Sequence, residues 1–360
     1  MRKVHISSVQ AGERLAKPIF MENGNVLLGT GVELNDRFIQ RLGNLGIDMI
    51  YIEDKHTMDL IPDEVVRDET RKKAVEAVHK TMTGLMDMKN VKGRAAVPEI
   101  GSTFRTVFGS ILQDLATRKD VLVNLSSLHT MEGYLFHHSV NVAVLAGIIG
   151  IAKGYNQSQL SDLGVGALLF DIGMTSVPKE IWNKNGPLTE AERKRVQLHT
   201  EDGFNLLRSQ FDVSLLSAHC ALQHHERFDG HGYPRGLQQK EIHEYAQIVA
   251  IADVYDALTS PRTHRVRYTP SEAIEFLFAS GNQYFDVDLV RLFCRHISIY
   301  PVASTVLLNT GQTAVVSSVN PNSVQRPTVR VIKEADGSEP AEPYEIDLHE
   351  EYSYTISKTL

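Results

Sequence analysis

The chain has 360 residues, room for two or three domains at roughly 100–200 residues each. Hydrophobic residues make up 42% and charged residues 22%, close to globular averages, which excludes a wholly disordered chain. A net charge of −7 excludes a broadly basic binder of duplex nucleic acid, so a polyanionic ligand would need local positive charge or metal ions to hold it.

Residues 1–60 predict a small α/β or β module. The opening MRKVHISSVQAGERLAKPIF lacks the continuous apolar core of a secretory signal. Asn23-Gly24 stands between Ile19-Phe20 and Val26-Leu27-Leu28, a hairpin signal because both turn positions favour positive φ. A short helix over 34–45, ending at Gly46, and a strand over 49–52 are expected to follow. Residues 61–100 predict a helical linker. Pro62 suits a helix start, and Asp63 and Glu64 suit its first turn. Val75, Val78, Met82 and Leu85 follow helical spacing over two heptads, too few for a coiled coil, so packing against the next domain is favoured over a dimer seam. Residues 93–98 look like a break.

Residues 101–298 are almost wholly helical by pattern. The segment 140–152 is apolar nearly all round and predicts a buried helix, as do 163–170 and 247–258. The longest apolar stretch, 142–152, falls well short of the ~20 residues that span a bilayer, so no membrane span is expected. Over 299–360 the period changes. The β-branched runs 304–308, 313–319 and 328–332 are separated by turn residues and predict a C-terminal β extension. The fold class is therefore mainly α, flanked by small β-containing N- and C-terminal modules.

Only two cysteines occur, Cys220 and Cys294, without CxxC spacing. This excludes a disulfide scaffold and a thiolate zinc site, and suits a reducing cytoplasm. Fifteen histidines are present, ten of them between His129 and His264. Polar residues also sit inside apolar runs: Asp253 in IVAIADVYDAL, Asp171 directly after ALLF, and His138 at the opening of the buried 140–152 segment. A buried carboxylate is costly unless it is paired or bound to a cation, although a helix cap or a core hydrogen bond would also satisfy one. Together with His199, His224 and His225 these residues offer four imidazoles and two carboxylates, a ligand mix suited to iron, manganese or zinc.

The run His224-His225-Glu226-Arg227-Phe228-Asp229-Gly230-His231-Gly232-Tyr233-Pro234 resembles the HHExxDGxGYP signature of the HD-GYP family. IADVYDALTS, HHSVNVA and VPKEIWNKNGPLTEAERKRVQLHTEDG resemble that family's other motif stretches, so the similarity covers roughly residues 100–300. It implies an HD-type helical domain over 101–298 and a metal-dependent phosphodiesterase that cleaves cyclic di-GMP to pGpG or GMP. His138, Asp171 and Asp253 match the ligands of a first metal. Asp171, His199, His224 and His225 match those of a second, with Asp171 bridging. Adjacent histidines on a helix diverge by about 100°, so His224 and His225 converge only if the helix ends there. Arg262 and Arg265 match a segment that approaches substrate phosphate. The signature loop Asp229, Gly230, Gly232, Tyr233 and Pro234 is expected to serve loop geometry and, in the family, docking of diguanylate cyclase domains. His137 is expected to cap or face solvent, and His231 to be a variable loop position.

Two departures bear on catalysis. The family's His-Asp doublet is Phe170-Asp171 here, and its lysine is Met174. Tyr134 stands where members with a third metal carry glutamate, so one or two ions are implied. The resemblance thus implies a phosphodiesterase of reduced activity, or else an inactive regulator that binds cyclic di-GMP or a cyclase partner. A phosphohydrolase acting on another nucleotide is a weaker reading. A homodimer is compatible with all three.

Overall fold

The computed structural model describes residues 1–62, 64–88, 99–116, 128–129, 134–182, 184, 186–260, 267–320 and 323–360. Asp63 and the expected break at 93–98 lie outside them.

The N-terminal module comprises β1 (Arg2–His5), β2 (Ile19–Phe20), β3 (Val26–Leu28), α1 (Asp36–Asn44) and β4 (Met49–Ile52). The first and last strands pair antiparallel, with Lys3 opposite Tyr51, and β2 and β3 form the hairpin around Asn23-Gly24. Helix α1 is shorter than expected because the Asn35 side chain accepts from the Phe38 N–H at 2.9 Å and so fixes its start. Leu34, just before this cap, is buried with Leu15, Ile19 and Ile50.

Helix α2 (Asp68–Met88) begins six residues after Pro62. Two features delay it. Val65 and Val66 are buried in the main core before the helix starts. Asp114, on α3 (Ile100–Ala116), accepts from the Arg67 backbone N–H at 3.0 Å and from its guanidinium at 2.7 Å, so the orphan donor there is satisfied by a neighbouring helix.

The helical domain continues through β5 (Leu128–His129), which runs parallel to β2, and then α4 (Tyr134–Ala152), α5 (Gln157–Leu169), α6 (Lys179–Trp182), α7 (Glu190–Gln197), α8 (His199–Arg208), α9 (Leu215–Gln223), α10 (Glu244–Thr259), α11 (Pro270–Ala279) and α12 (Val287–Cys294). Helix α4 lies at the centre, packed against α2, α3, α5, α10 and α12. At 19 residues it is longer than its apolar run suggests, and it is long and apolar enough to cross a membrane by length and composition. It is instead the core helix, since 89% of its most apolar window is buried inside the protein. Close packing of α5 on α3 needs Gly164, where a Cβ would fall 2.1 Å from the Phe108 ring.

The C-terminal module is a five-stranded antiparallel sheet in the order β10-β6-β7-β8-β9, formed by β6 (Thr305–Leu308), β7 (Thr313–Ser318), β8 (Thr328–Lys333), β9 (Tyr344–Asp347) and β10 (Ile356–Thr359). The last two strands are short and largely exposed, and their sequence carries little alternation. The two end modules touch. The Lys3 N–H donates to the Ala303 carbonyl and the Thr305 hydroxyl to the Lys3 carbonyl, both at 2.7 Å.

Candidate metal centre

The centre lies where α4, α5, α8, α9 and α10 converge. Helix α9 ends at Gln223, and His224 is its C-cap residue. The chain therefore turns between His224 and His225, and the two rings come within 4.1 Å of each other, centroid to centroid. Asp171 follows the end of α5 at the start of a 3-10 turn over Ile172–Ser176. That turn is pressed against the first turn of α8 at Gly173, where a Cβ would fall 1.9 Å from the His199 carbonyl oxygen. Glycine here lets the backbones carrying Asp171 and His199 approach.

Two groups of side chains result. In the first, the Nε2 atoms of His199 and His224 are 3.2 Å apart, and they lie 3.3 and 3.6 Å from the Asp171 carboxylate. His199 Nδ1 donates to the Val196 carbonyl at 2.6 Å, and His224 Nδ1 donates to the carbonyls of Cys220 and Ala221 at 3.0 Å. With Nδ1 carrying the proton, each neutral ring presents its Nε2 lone pair. Two lone pairs and a carboxylate then face one another in a buried space, an arrangement that suits a cation. His199, His224 and His225 together offer ligand atoms all within 4.8 Å of one another. Burial works against the charge of Asp171, but positive charge beside it, which His199 and His224 supply when protonated and a cation would supply in their place, holds its carboxyl well below the usual range. Burial, with His224 beside it, lowers His225 to about 3, which leaves a neutral ring able to ligate.

In the second group, His138 lies between two carboxylates, with Nε2 2.9 Å from Asp253 and Nδ1 2.7 Å from Asp256. Burial opposes its charge, but these two bonds outweigh it and raise its pKa to about 10. Asp253 also lies in the electrostatic field of His225, Asp171 and His199, so the groups adjoin. Phe170 is fully buried at their junction, with its ring edge-on to His138 at 5.6 Å and to His224 at 5.0 Å. Tyr134 stacks on His138 at 4.8 Å. Met174 packs partly buried against the main core.

The signature loop is held from beneath. Glu226 is buried and accepts from the N–H groups of Arg235 at 2.8 Å and Leu237 at 3.0 Å. Tyr233 stacks on His225 at 4.8 Å, and its N–H donates to the His225 carbonyl at 3.1 Å. Asp229 pairs with Arg227 and accepts from the His231 N–H. Gly230 takes φ +82°, and at Gly232 a Cβ would fall 2.3 Å from the Arg227 nitrogen. Pro234 follows a cis peptide bond.

Arg262 and Arg265 lie outside the described residues. Against expectation, His137 is buried rather than solvent-facing, and its Nε2 donates to the Met21 carbonyl at 3.0 Å, tying α4 to the N-terminal hairpin. His231 is exposed beside Asp229. Sequence reasoning missed Asp256, Asn141, Arg71 and Glu226. For Asp256 a signal existed: it lies three residues after Asp253 on α10, so both face α4.

A family model described as an HD domain matches residues 113–289, and one described as a KOW domain associated with HD domain matches 305–360. A cyclic di-GMP phosphodiesterase of Pseudomonas aeruginosa is 38% identical over 234 residues, covering 64% of this chain and 55% of that protein. A 3'3'-cGAMP-specific phosphodiesterase of Vibrio cholerae is 38% identical over 144 residues, covering 40% of this chain and 33% of that protein. The chain thus spans from one third to just over half of the length of these relatives. Among solved structures, an HDG"Y"P protein of Bdellovibrio bacteriovorus aligns over 81% of this chain and 97% of that one, at 16% identity and a TM-score of 0.46.

Proposed function

The chain carries an HD domain of the HD-GYP type, and from that premise we propose that it is a metal-dependent phosphodiesterase hydrolysing cyclic di-GMP to pGpG or GMP. The observation that carries the proposal is the convergence of the His199 and His224 Nε2 lone pairs on Asp171, with both Nδ1 protons held by backbone carbonyls. Asp171, His199, His224 and His225 would hold one ion, and His138 and Asp253 would contribute to a second. Donors of nitrogen and oxygen without thiolate suit iron or manganese, with zinc as the alternative. A divalent metal there supplies Lewis acidity that activates water at neutral pH and offsets phosphodiester charge.

The protein's own groups orient that chemistry. The Val196, Cys220 and Ala221 carbonyls fix two imidazoles, and Asp256 fixes His138. Tyr233 holds His225 by stacking. Arg262 and Arg265 would meet the dinucleotide phosphates. The curated relatives named for cyclic di-GMP and for 3'3'-cGAMP share a cyclic phosphodiester substrate chemistry, and the greater coverage of the cyclic di-GMP relative favours that nucleotide. Two free, buried cysteines fit a cytoplasmic setting.

A second reading has one specific support. Phe170 fills with carbon the position that would complete the His138 group. In that reading the chain is an inactive regulator that binds the dinucleotide, or docks a diguanylate cyclase domain through the loop Asp229–Pro234, alone or as a homodimer. Turnover of cyclic di-GMP and of 3'3'-cGAMP by manganese- and iron-loaded protein separates the readings. Hydrolysis of cyclic di-GMP, abolished in His224→Ala, supports the enzyme. Tight binding of the nucleotide without hydrolysis supports the regulator.

A further inference from the structure

We propose that Arg71, on α2 and ahead of the matched HD domain, is a positioning residue for His138, acting through Asn141 and Asp256. The chain of contacts is closed and buried. Arg71 Nη1 donates to Asn141 Oδ1 at 2.5 Å, and Asn141 Nδ2 donates to Asp256 Oδ1 at 2.9 Å. Asp256 Oδ2 in turn accepts from His138 Nδ1 at 2.7 Å. The Arg71 donor dictates the amide orientation of Asn141, because only the amide oxygen can face a guanidinium. The amide nitrogen is thereby aimed at Asp256, which leaves the other carboxylate oxygen for His138.

The position is costly for an arginine. Arg71 is 4% exposed, and its Nε lacks a hydrogen-bond partner among the described residues. Burial lowers its pKa, while the carboxylates of Glu64, Asp68 and Asp256 favour its charge. Neutralising Glu64 and Asp68 alone would not require Nη1 to reach α4. The reach places a guanidinium behind Asp256 and, through Asn141, directs the other carboxylate oxygen at His138. The same stretch of α2 carries the N-terminal module. A Cβ on Gly24 of the hairpin would lie 3.2 Å from the Lys72 carbonyl, and Lys17 pairs with Glu64. One contact from the module thus lands on Lys72, next to Arg71, and the other on Glu64, ahead of α2, whose carboxylate favours the charge of Arg71.

The inference uses the site assigned above, but its test does not depend on turnover. The full chain is labelled with 15N-histidine and stripped of metal, and the His138 Nδ1–H signal is assigned by its disappearance in His138→Gln. Its exchange with solvent is then compared in wild type, Arg71→Met and Arg71→Lys, and manganese affinity is measured on the same samples. Arg71→Met should speed exchange about tenfold or more and weaken manganese binding at His138 on the 10–100-fold scale of partners standing behind a metal ligand. Binding at Asp171, His199 and His224 should not change. Arg71→Lys should restore most of both, because a single donor and a charge suffice for the one contact Nη1 makes. If Arg71→Met does not fold, Asn141→Asp keeps the acceptor for Arg71, removes the donor to Asp256, and should give the same two changes. Folded variants with wild-type exchange and affinity overturn the inference. So does an Arg71→Lys protein no better than Arg71→Met. A wild type that binds no manganese but shows the exchange effect would count against the metal reading alone.

Discussion

In the proposed reading, Phe170 limits the chemistry the centre can perform. Its ring lies edge-on to the imidazoles of His138 and His224 and is fully buried, so the fold accepts an apolar side chain there. Met174 is flexible and apolar and packs against the core in the place of a lysine stem. The double variant Phe170→His with Met174→Lys should therefore fold, raise metal content and raise cyclic di-GMP turnover relative to wild type. Metal analysis and hydrolysis measured side by side check this. A wild type already as fast as the double variant would show that these positions do not limit catalysis. His224→Ala should lose most bound metal and lower the melting temperature, because the ion ties together segments from three parts of the chain. Equal metal content in wild type and His224→Ala would place the ion elsewhere. The ligand candidates were legible because they fall in motifs with fixed spacing. Arg71 and Asn141 were not, because they touch other side chains rather than the site, and nothing in linear spacing marks a contact across 70 positions.

At the scale of elements, apolar periodicity predicts the buried helices, and β-branched runs predict three strands of the C-terminal sheet. What it does not supply is where elements start. Pro62 suggested a start for α2, but the helix waits until Asp68 because Asp114 from α3 receives the Arg67 N–H. Local pattern cannot see a tertiary cap. It also cannot see why Gly173 is needed, since the reason lies on another helix. Gly173→Ala would set a Cβ 1.9 Å from the His199 carbonyl, and the backbone must move to avoid it. The expected cost is about 1–3 kcal/mol, the range of overpacked sites, with weaker metal binding because Asp171 and His199 are pushed apart. Chemical denaturation and metal titration of Gly173→Ala test this, and wild-type values in both would show that the contact is slack.

At the scale of the whole molecule, the end modules meet through Lys3 and Ala303, a contact between residues 300 positions apart that no local pattern encodes. Lys3 has its pKa lowered to about 7, first by burial and then by Arg267. Between about pH 7 and its ordinary value of 10.5 the unfolded chain binds the Lys3 proton more strongly than the folded one, so wild-type stability rises with pH across that window. Lys3→Met removes the linkage. The mutant's stability advantage should be greatest below pH 7 and shrink as pH rises through the window, as read by denaturation at several pH values. A difference independent of pH would show that Lys3 titrates normally in the folded protein. Removing residues 1–60 should destabilise the chain through the same contacts, while every proposed ligand from His138 onward is retained. Loss of all metal from a well-folded truncated protein would contradict that division of labour.

The central claim is that the histidine and aspartate cluster holds a metal that hydrolyses a cyclic dinucleotide. Its most direct test is to purify the protein without oxygen and determine metal per chain and cyclic di-GMP turnover on one sample, for wild type and for His224→Ala. The account predicts at least one iron or manganese ion per wild-type chain, hydrolysis to pGpG or GMP, and loss of both in the variant. Metal-loaded wild type that leaves cyclic di-GMP intact, or a variant that keeps both metal and turnover, would contradict it.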